Sequence, residues 1–97
     1  MIIAEVSVAP MSEGTSISRF VKLSVGALKK SGLKTFSSPM CTSVEATSLD
    51  EILAAVKAAH EAVVEAGAKR VITTLKIDDR RDKRATMETK MAAVTTS

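Results

Sequence analysis

The hydrophobic repeat of this chain changes period along its length, and that restricts the fold more than any single motif does. From Ile2 to Val8 the period is two: Ile2, Ala4, Val6 and Val8 share one face while Ile3, Glu5 and Ser7 share the other, the pattern of a half-buried strand. Pro10 stops that strand, and Ser12-Glu13-Gly14-Thr15-Ser16 is a hydroxyl-rich loop ending in helix-capping residue types. Ile17, Phe20, Val21, Val25 and Leu28 then fall near a helical stripe, and Gly32 after Lys29 and Lys30 is a stop signal. A helix is predicted over about residues 16–31.

Residues 33–38 and 42–47 are short runs of β-branched and small residues around Pro39-Met40-Cys41, the pattern of a hairpin. Ser48-Leu49-Asp50-Glu51 has the spacing of a capping box, and Leu49, Ile52, Leu53, Val56, Ala59 and Val63 form a helical stripe that closes at Gly67. Period two returns over residues 70–77, where Val71, Thr73, Leu75 and Ile77 alternate with Ile72, Thr74 and Lys76. A charge run over residues 78–84 follows, and Met87, Met91 and Val94 suggest a short terminal helix. Strand, helix, strand, strand, helix, strand is the order of an α+β ferredoxin-like sandwich. Right-handed crossovers put both long helices on one face of a four-stranded antiparallel sheet. The opposite face, carrying Ile3 and Ile72, is expected to be covered by another copy of the chain, giving a homo-oligomer built sheet to sheet.

The length of 97 residues fits one domain, residues 1–97, and a composition 45% hydrophobic and 26% charged suits a globular fold. With two Phe and no Tyr or Trp, the core rests on Val, Ile, Leu, Ala and Met. A net charge of +3 is too mild to mark a nucleic-acid binder. The single Cys41 has no metal-ligand spacing around it, so neither a metal nor another cofactor is expected. No stretch approaches the roughly 20 apolar residues that span a bilayer, and the start lacks the pattern of a signal peptide; a cytoplasmic location without a membrane partner is the expectation. The absence of Asn and Gln would suit a heat-adapted protein.

Several short motifs run through nearly the whole chain in order: Val6-x-Val8-x-Pro10, Gly14-x-Ser16-x-Ser18, Pro39-Met40-x-Thr42-x-x-Glu45, Gly67-x-x-Arg70-Val71 and Lys76-Ile77-Asp78-x-Arg80. Together they resemble the small thiamine-binding protein family, related to binding proteins for thiamine and its hydroxymethylpyrimidine half. The chain departs from that pattern at Cys41 and Ala46, both where Gly is expected, which bears on turn geometry and pocket size. The resemblance implies a homotetramer of ferredoxin-like subunits, a thiamine-type ligand and no catalytic step.

Thiamine joins a cationic thiazolium to an aminopyrimidine and a hydroxyethyl arm, so its pocket needs a carboxylate, hydroxyls and apolar wall. Glu5 and Glu45 fall on adjacent central strands and by alternation face the open side near Ser7 and Ser43; the competing reading makes them solvated or paired between subunits. Thr42 and Met40 offer a hydroxyl and a soft wall at the hairpin, although Thr42 has opposite parity to Glu45, and Met40 suits a core or interface position as well. The run Asp78-Asp79-Arg80-Arg81-Asp82-Lys83-Arg84 holds enough bases for a phosphate, but its own carboxylates compete for them. His60, without a ligand partner, reads as a helix-flank residue, and Cys41 as inert. An RNA-binding module of this strand order would need aromatic platforms, and only Phe36, on an outer strand, is on offer. The alternative to a carrier or sensor is a small oligomeric enzyme with a sheet-face pocket and no cofactor. It would need Glu5, Glu45 or His60 as acid or base.

Overall fold

In the computed structural model, which describes residues 1–11 and 18–96 with the side chain of Thr96 excepted, each change of hydrophobic period coincides with a change of element. The order is β1 (Ile2–Pro10), α1 (Ser18–Lys30), β2 (Lys34–Ser37), β3 (Thr42–Ala46), α2 (Leu49–Glu65), β4 (Val71–Asp79) and α3 (Met87–Thr96). The strands make one antiparallel sheet in the order β2-β3-β1-β4. This is the ferredoxin-like arrangement expected from the repeat. The loop at 12–16 and the helix start near Ser16 fall outside the described residues.

Register explains which side chains meet. Ala4 lies opposite Val44, and Ile2 opposite Ala46, so one face of the two central strands is apolar. Phe20 and Leu28 of α1 and Ile52, Val56 and Val63 of α2 pack on it. Ala55 and Ala59, both buried, add little bulk to the inward face of α2 and so let that helix lie close to the sheet. Its start is a capping box: the Glu51 N–H donates to Ser48 Oγ at 3.3 Å, while the Glu51 carboxylate accepts the hydroxyls of Ser48 at 3.0 Å and Thr47 at 2.5 Å. Those two hydroxyls, Thr47 first, hold the carboxyl below its ordinary range. Gly67, with φ of +107°, provides the left-handed residue that ends the helix.

Two expectations need correction. The last strand runs past Ile77 to Asp79, because β1 begins at Ile2 and offers Ile3 and Ile2 as partners for Asp78 and Asp79. The bases beyond it fold back on the run's own carboxylates, Arg81 on Asp79 at 2.8 Å and Arg80 on Asp82 at 2.7 Å. The terminal stripe is also only partly used. Met87 is buried, but Met91 and Val94 are 53% and 68% exposed, so α3 packs on the sheet by its first turn alone.

Candidate ligand site

The structure divides the six residues expected to bind a ligand between two places. By register, Glu5, Ser7, Ser43 and Glu45 share the face of the sheet away from α1 and α2, with Lys34 and Phe36 of β2 and Ile72, Thr74, Lys76 and Asp78 of β4. Glu5 is exposed, opposite Ser43 on one side and Lys76 on the other. Glu45 is only 6% exposed, and its Oε1 accepts the N–H of Met87 at 3.0 Å. It is thus neither solvated nor open to an ion pair between subunits. The carboxylate sits at the N-terminus of α3, where the helix dipole favours negative charge. Lys90, one turn on, donates to Asp78 and, chiefly through that hydrogen bond, holds the Asp78 carboxyl below its ordinary range. A cleft of about 390 Å³ remains between α3 and the β2–β3 side of this face.

Replacing the charged acceptor by a neutral one, Glu45→Gln, is expected to weaken α3 docking by about 1 kcal/mol, the difference between a charge-assisted and a neutral hydrogen bond. Amide exchange should accelerate in α3 and not in α2. Unchanged exchange in α3 would remove Glu45 as its anchor.

Met40 and Thr42 meet at the other place, a cavity of about 240 Å³ between α1 and the β2–β3 hairpin. Its walls are Val6 and Val8 from β1 and Val21, Val25 and Leu28 from α1. Ser7 borders it at the sheet margin, one residue past the last β1–β3 pair, Val6 with Thr42. Thr42, of opposite parity to Glu45, is buried toward the helices with its hydroxyl 3.2 Å from Ser37 Oγ. Only one of that pair can donate to the other, which leaves one O–H over. The hydroxyl of Ser24 donates to the Val21 carbonyl at 2.9 Å and keeps its lone pairs. Ser38 Oγ accepts the N–H groups of Met40 and Cys41, each at 3.3 Å, and so fixes the turn. Cys41 lines the cavity, partly exposed, where Gly was expected. Met40 is 85% exposed, so a core position within the chain does not hold for it.

Sequence reading missed Ser24, Ser37 and Ser38 as lining residues. The signal for Ser24 was present: Phe20, Ser24 and Leu28 recur every four residues, which puts a hydroxyl in the middle of a buried stripe. Ser37 and Ser38 carried no such mark, since their placement depends on how the hairpin folds over α1. His60 lies on the flank of α2 with Nδ1 2.7 Å from Thr73 Oγ1. Among the described residues, no three His, Cys, Asp or Glu side chains are grouped to hold a metal ion, and no helix is long and apolar enough to cross a membrane.

An apolar slot edged by hydroxyl acceptors and one spare donor suits a flat heteroaromatic ring bearing an amino group. The model of the family described as thiamine-binding protein matches residues 4–95. The chain belongs to the thiamine-binding protein family. Family relatives include a UPF0045 protein of Methanothermobacter thermautotrophicus, 55% identical over 83 residues and covering 84% of each chain. The UPF0045 protein MJ1052 of Methanocaldococcus jannaschii is 43% identical over 93 residues, covering 96% of this chain and 91% of that one. A crystal structure of MJ1052 superposes with a TM-score of 0.90 at 42% identity, covering 97% of this chain and 95% of the other. The Thermotoga maritima protein TM0486, assigned provisionally to thiamine biosynthesis or salvage, superposes with a TM-score of 0.81 at 25% identity, covering 96% and 97% of the two chains.

Proposed function

We propose that this protein binds thiamine, or its hydroxymethylpyrimidine half, without transforming it, and that the ligand occupies the cavity between α1 and the hairpin. The observation that carries this reading is the meeting of apolar wall with the Thr42–Ser37 hydroxyl pair and Ser24 in that one cavity. An aminopyrimidine donates through its amino group and accepts through its ring nitrogens, the complement of what those hydroxyls offer. The thiazolium then lies toward the mouth, where water solvates its charge and the Met40 thioether supplies a polarizable surface. The family's description and the provisional assignment of the Thermotoga relative support the ligand class. This reading leaves Glu5, Ser43 and Glu45 to the opposite face.

That face supports the second part of the proposal, a cytoplasmic carrier or sensor working as a homotetramer joined through its sheets. On it stand Phe36 and Ile72, 59% and 44% exposed, and the half-buried Ile3, with Ile3 and Phe36 beside the α3 cleft and Ile72 at the far end of the β1–β4 ladder, and a second sheet would cover them.

Isothermal titration of ligand-free protein with thiamine, hydroxymethylpyrimidine and thiamine phosphate tests the ligand. Saturable binding of thiamine and of the pyrimidine half is expected. Thr42→Val, nearly equal in volume, should then weaken both by about 0.5–1.5 kcal/mol, the worth of one neutral hydrogen bond. If none of the three binds, the ligand assignment fails; if Thr42→Val binds as tightly as the wild type, the cavity is the wrong site.

A further inference from the structure

The face of the sheet turned away from α1 and α2 keeps a cleft of about 390 Å³ that the proposed thiamine cavity does not use. Ile3 of β1 and Ser43 of β3 line it from the sheet, Phe36 of β2 from the margin, and Met87 and Met91 from α3. The β2–β3 hairpin separates it from the thiamine cavity. Phe36 and Ser43, paired across the hairpin, face the cleft, whereas Ser37 and Thr42, of opposite parity, face the cavity.

Packing within the chain does not account for two of these residues. Phe36, one of two aromatic side chains in the protein, is 59% exposed, and Met91, which lines the same cleft, is 53% exposed. An aromatic face and a flexible thioether together hold a flat ring well, since the ring stacks on one and meets polarizable sulfur on the other. The volume falls within the range of small-molecule sites, which runs from about 300 to 1,000 Å³.

Charge at the rim selects the kind of ring. Lys34, Glu88 and Lys90 line the cleft. Lys90 is engaged by Asp78. Glu88 lies in the first turn of α3, where the positive end of the helix dipole offsets its charge. Lys34 is left over: among the described residues its ammonium has no ion pair and no hydrogen bond. Its cross-strand neighbour Glu45 turns Oε1 to the Met87 N–H instead. Lys34 and Phe36 stand two residues apart on one side of β2, so a ring stacked on Phe36 holds a substituent within reach of the ammonium.

We propose that this cleft is a second ligand site, for a small aromatic monoanion whose ring lies between Phe36 and Met91 and whose anionic group pairs with Lys34. It is independent of where thiamine binds, and the thiazolium cation of thiamine meets like charge at Lys34. All of its walls come from one chain, so it does not require the sheet-to-sheet contact.

The test is fluorescence titration of the full chain with anilinonaphthalene sulfonate, an aromatic anion that brightens in apolar surroundings. N-phenylnaphthylamine, which has the same rings and no charge, is titrated beside it. Saturable binding of the anion at one site per chain is expected. Phe36→Ala should weaken both probes by about tenfold, from lost stacking and lost apolar area. Lys34→Met should weaken the anion by about fivefold, the upper range for an ion pair open to water, and leave the neutral probe unweakened. Glu88→Gln should tighten binding of the anion alone. Ile72→Lys charges the same face at the far end of the β1–β4 ladder without lining the cleft, and should bind the anion as the wild type does. Excess thiamine should not displace the anion. Absence of saturable binding, no effect of Phe36→Ala, or an equal response of both probes to Lys34→Met overturns the proposal. So does displacement by thiamine, which would place the probe in the other cavity, or loss of binding in Ile72→Lys, which would place it between copies.

Discussion

Replacing Ile52 by alanine is expected to destabilise the protein by about 2–5 kcal/mol, the range for removing a large aliphatic side chain from a packed core. Ile52 is fully buried at 0% exposure, in the first turn of α2, where the helix meets the apolar face of the sheet. Of the two Phe in the chain, Phe20 shares this core from α1 and Phe36 is 59% exposed on β2. Domains of this size are stable by about 5–15 kcal/mol, so the loss is a large part of the total. Since the chain has no Trp or Tyr, urea unfolding should be followed by far-ultraviolet circular dichroism. A midpoint within error of the wild type would show that α2 does not close the core at this point.

The second large effect is on assembly. Ile3→Lys puts a charge on the face proposed to pack against another sheet, beside the α3 cleft, on a strand whose other face is in the core. Since Ile3 is half-buried in the single chain, the lysine ammonium can reach water there, and the fold should survive. Between two sheets it could not, and burying an unpaired charge is far more costly than one lost apolar contact. Light scattering should show the wild type at four times the chain mass of 10.2 kDa and the variant at a lower mass. An unchanged mass would remove the face contact from the assembly.

The two places where ligand candidates gathered differ in how they are built. Glu5, Ser43 and Glu45 share a face because alternation along two paired strands requires it, and this was legible from the sequence. The fate of Glu45 was not. Its burial depends on a chain segment 42 residues away, Met87, returning across the sheet. Parity likewise set Thr42 apart from Glu45, whereas the cavity that Thr42 enters needs α1 and the hairpin to be seated against each other.

What the sequence determined by itself was therefore local. Period two and the helical period identify the strands and helices. The capping box at Ser48 marks where α2 starts, and Gly67 marks where it stops. Within the charge run two pairs form two residues apart, Arg80 with Asp82 and Arg81 with Asp79. The tertiary structure alone decided that β4 continues to Asp79, that α3 is anchored on Glu45, and that Ser24, Ser37 and Thr42 border one cavity. The reason is physical. Alternation and capping act over a few residues of backbone, while a cavity or an anchored helix depends on contacts between segments that only the packed chain brings together.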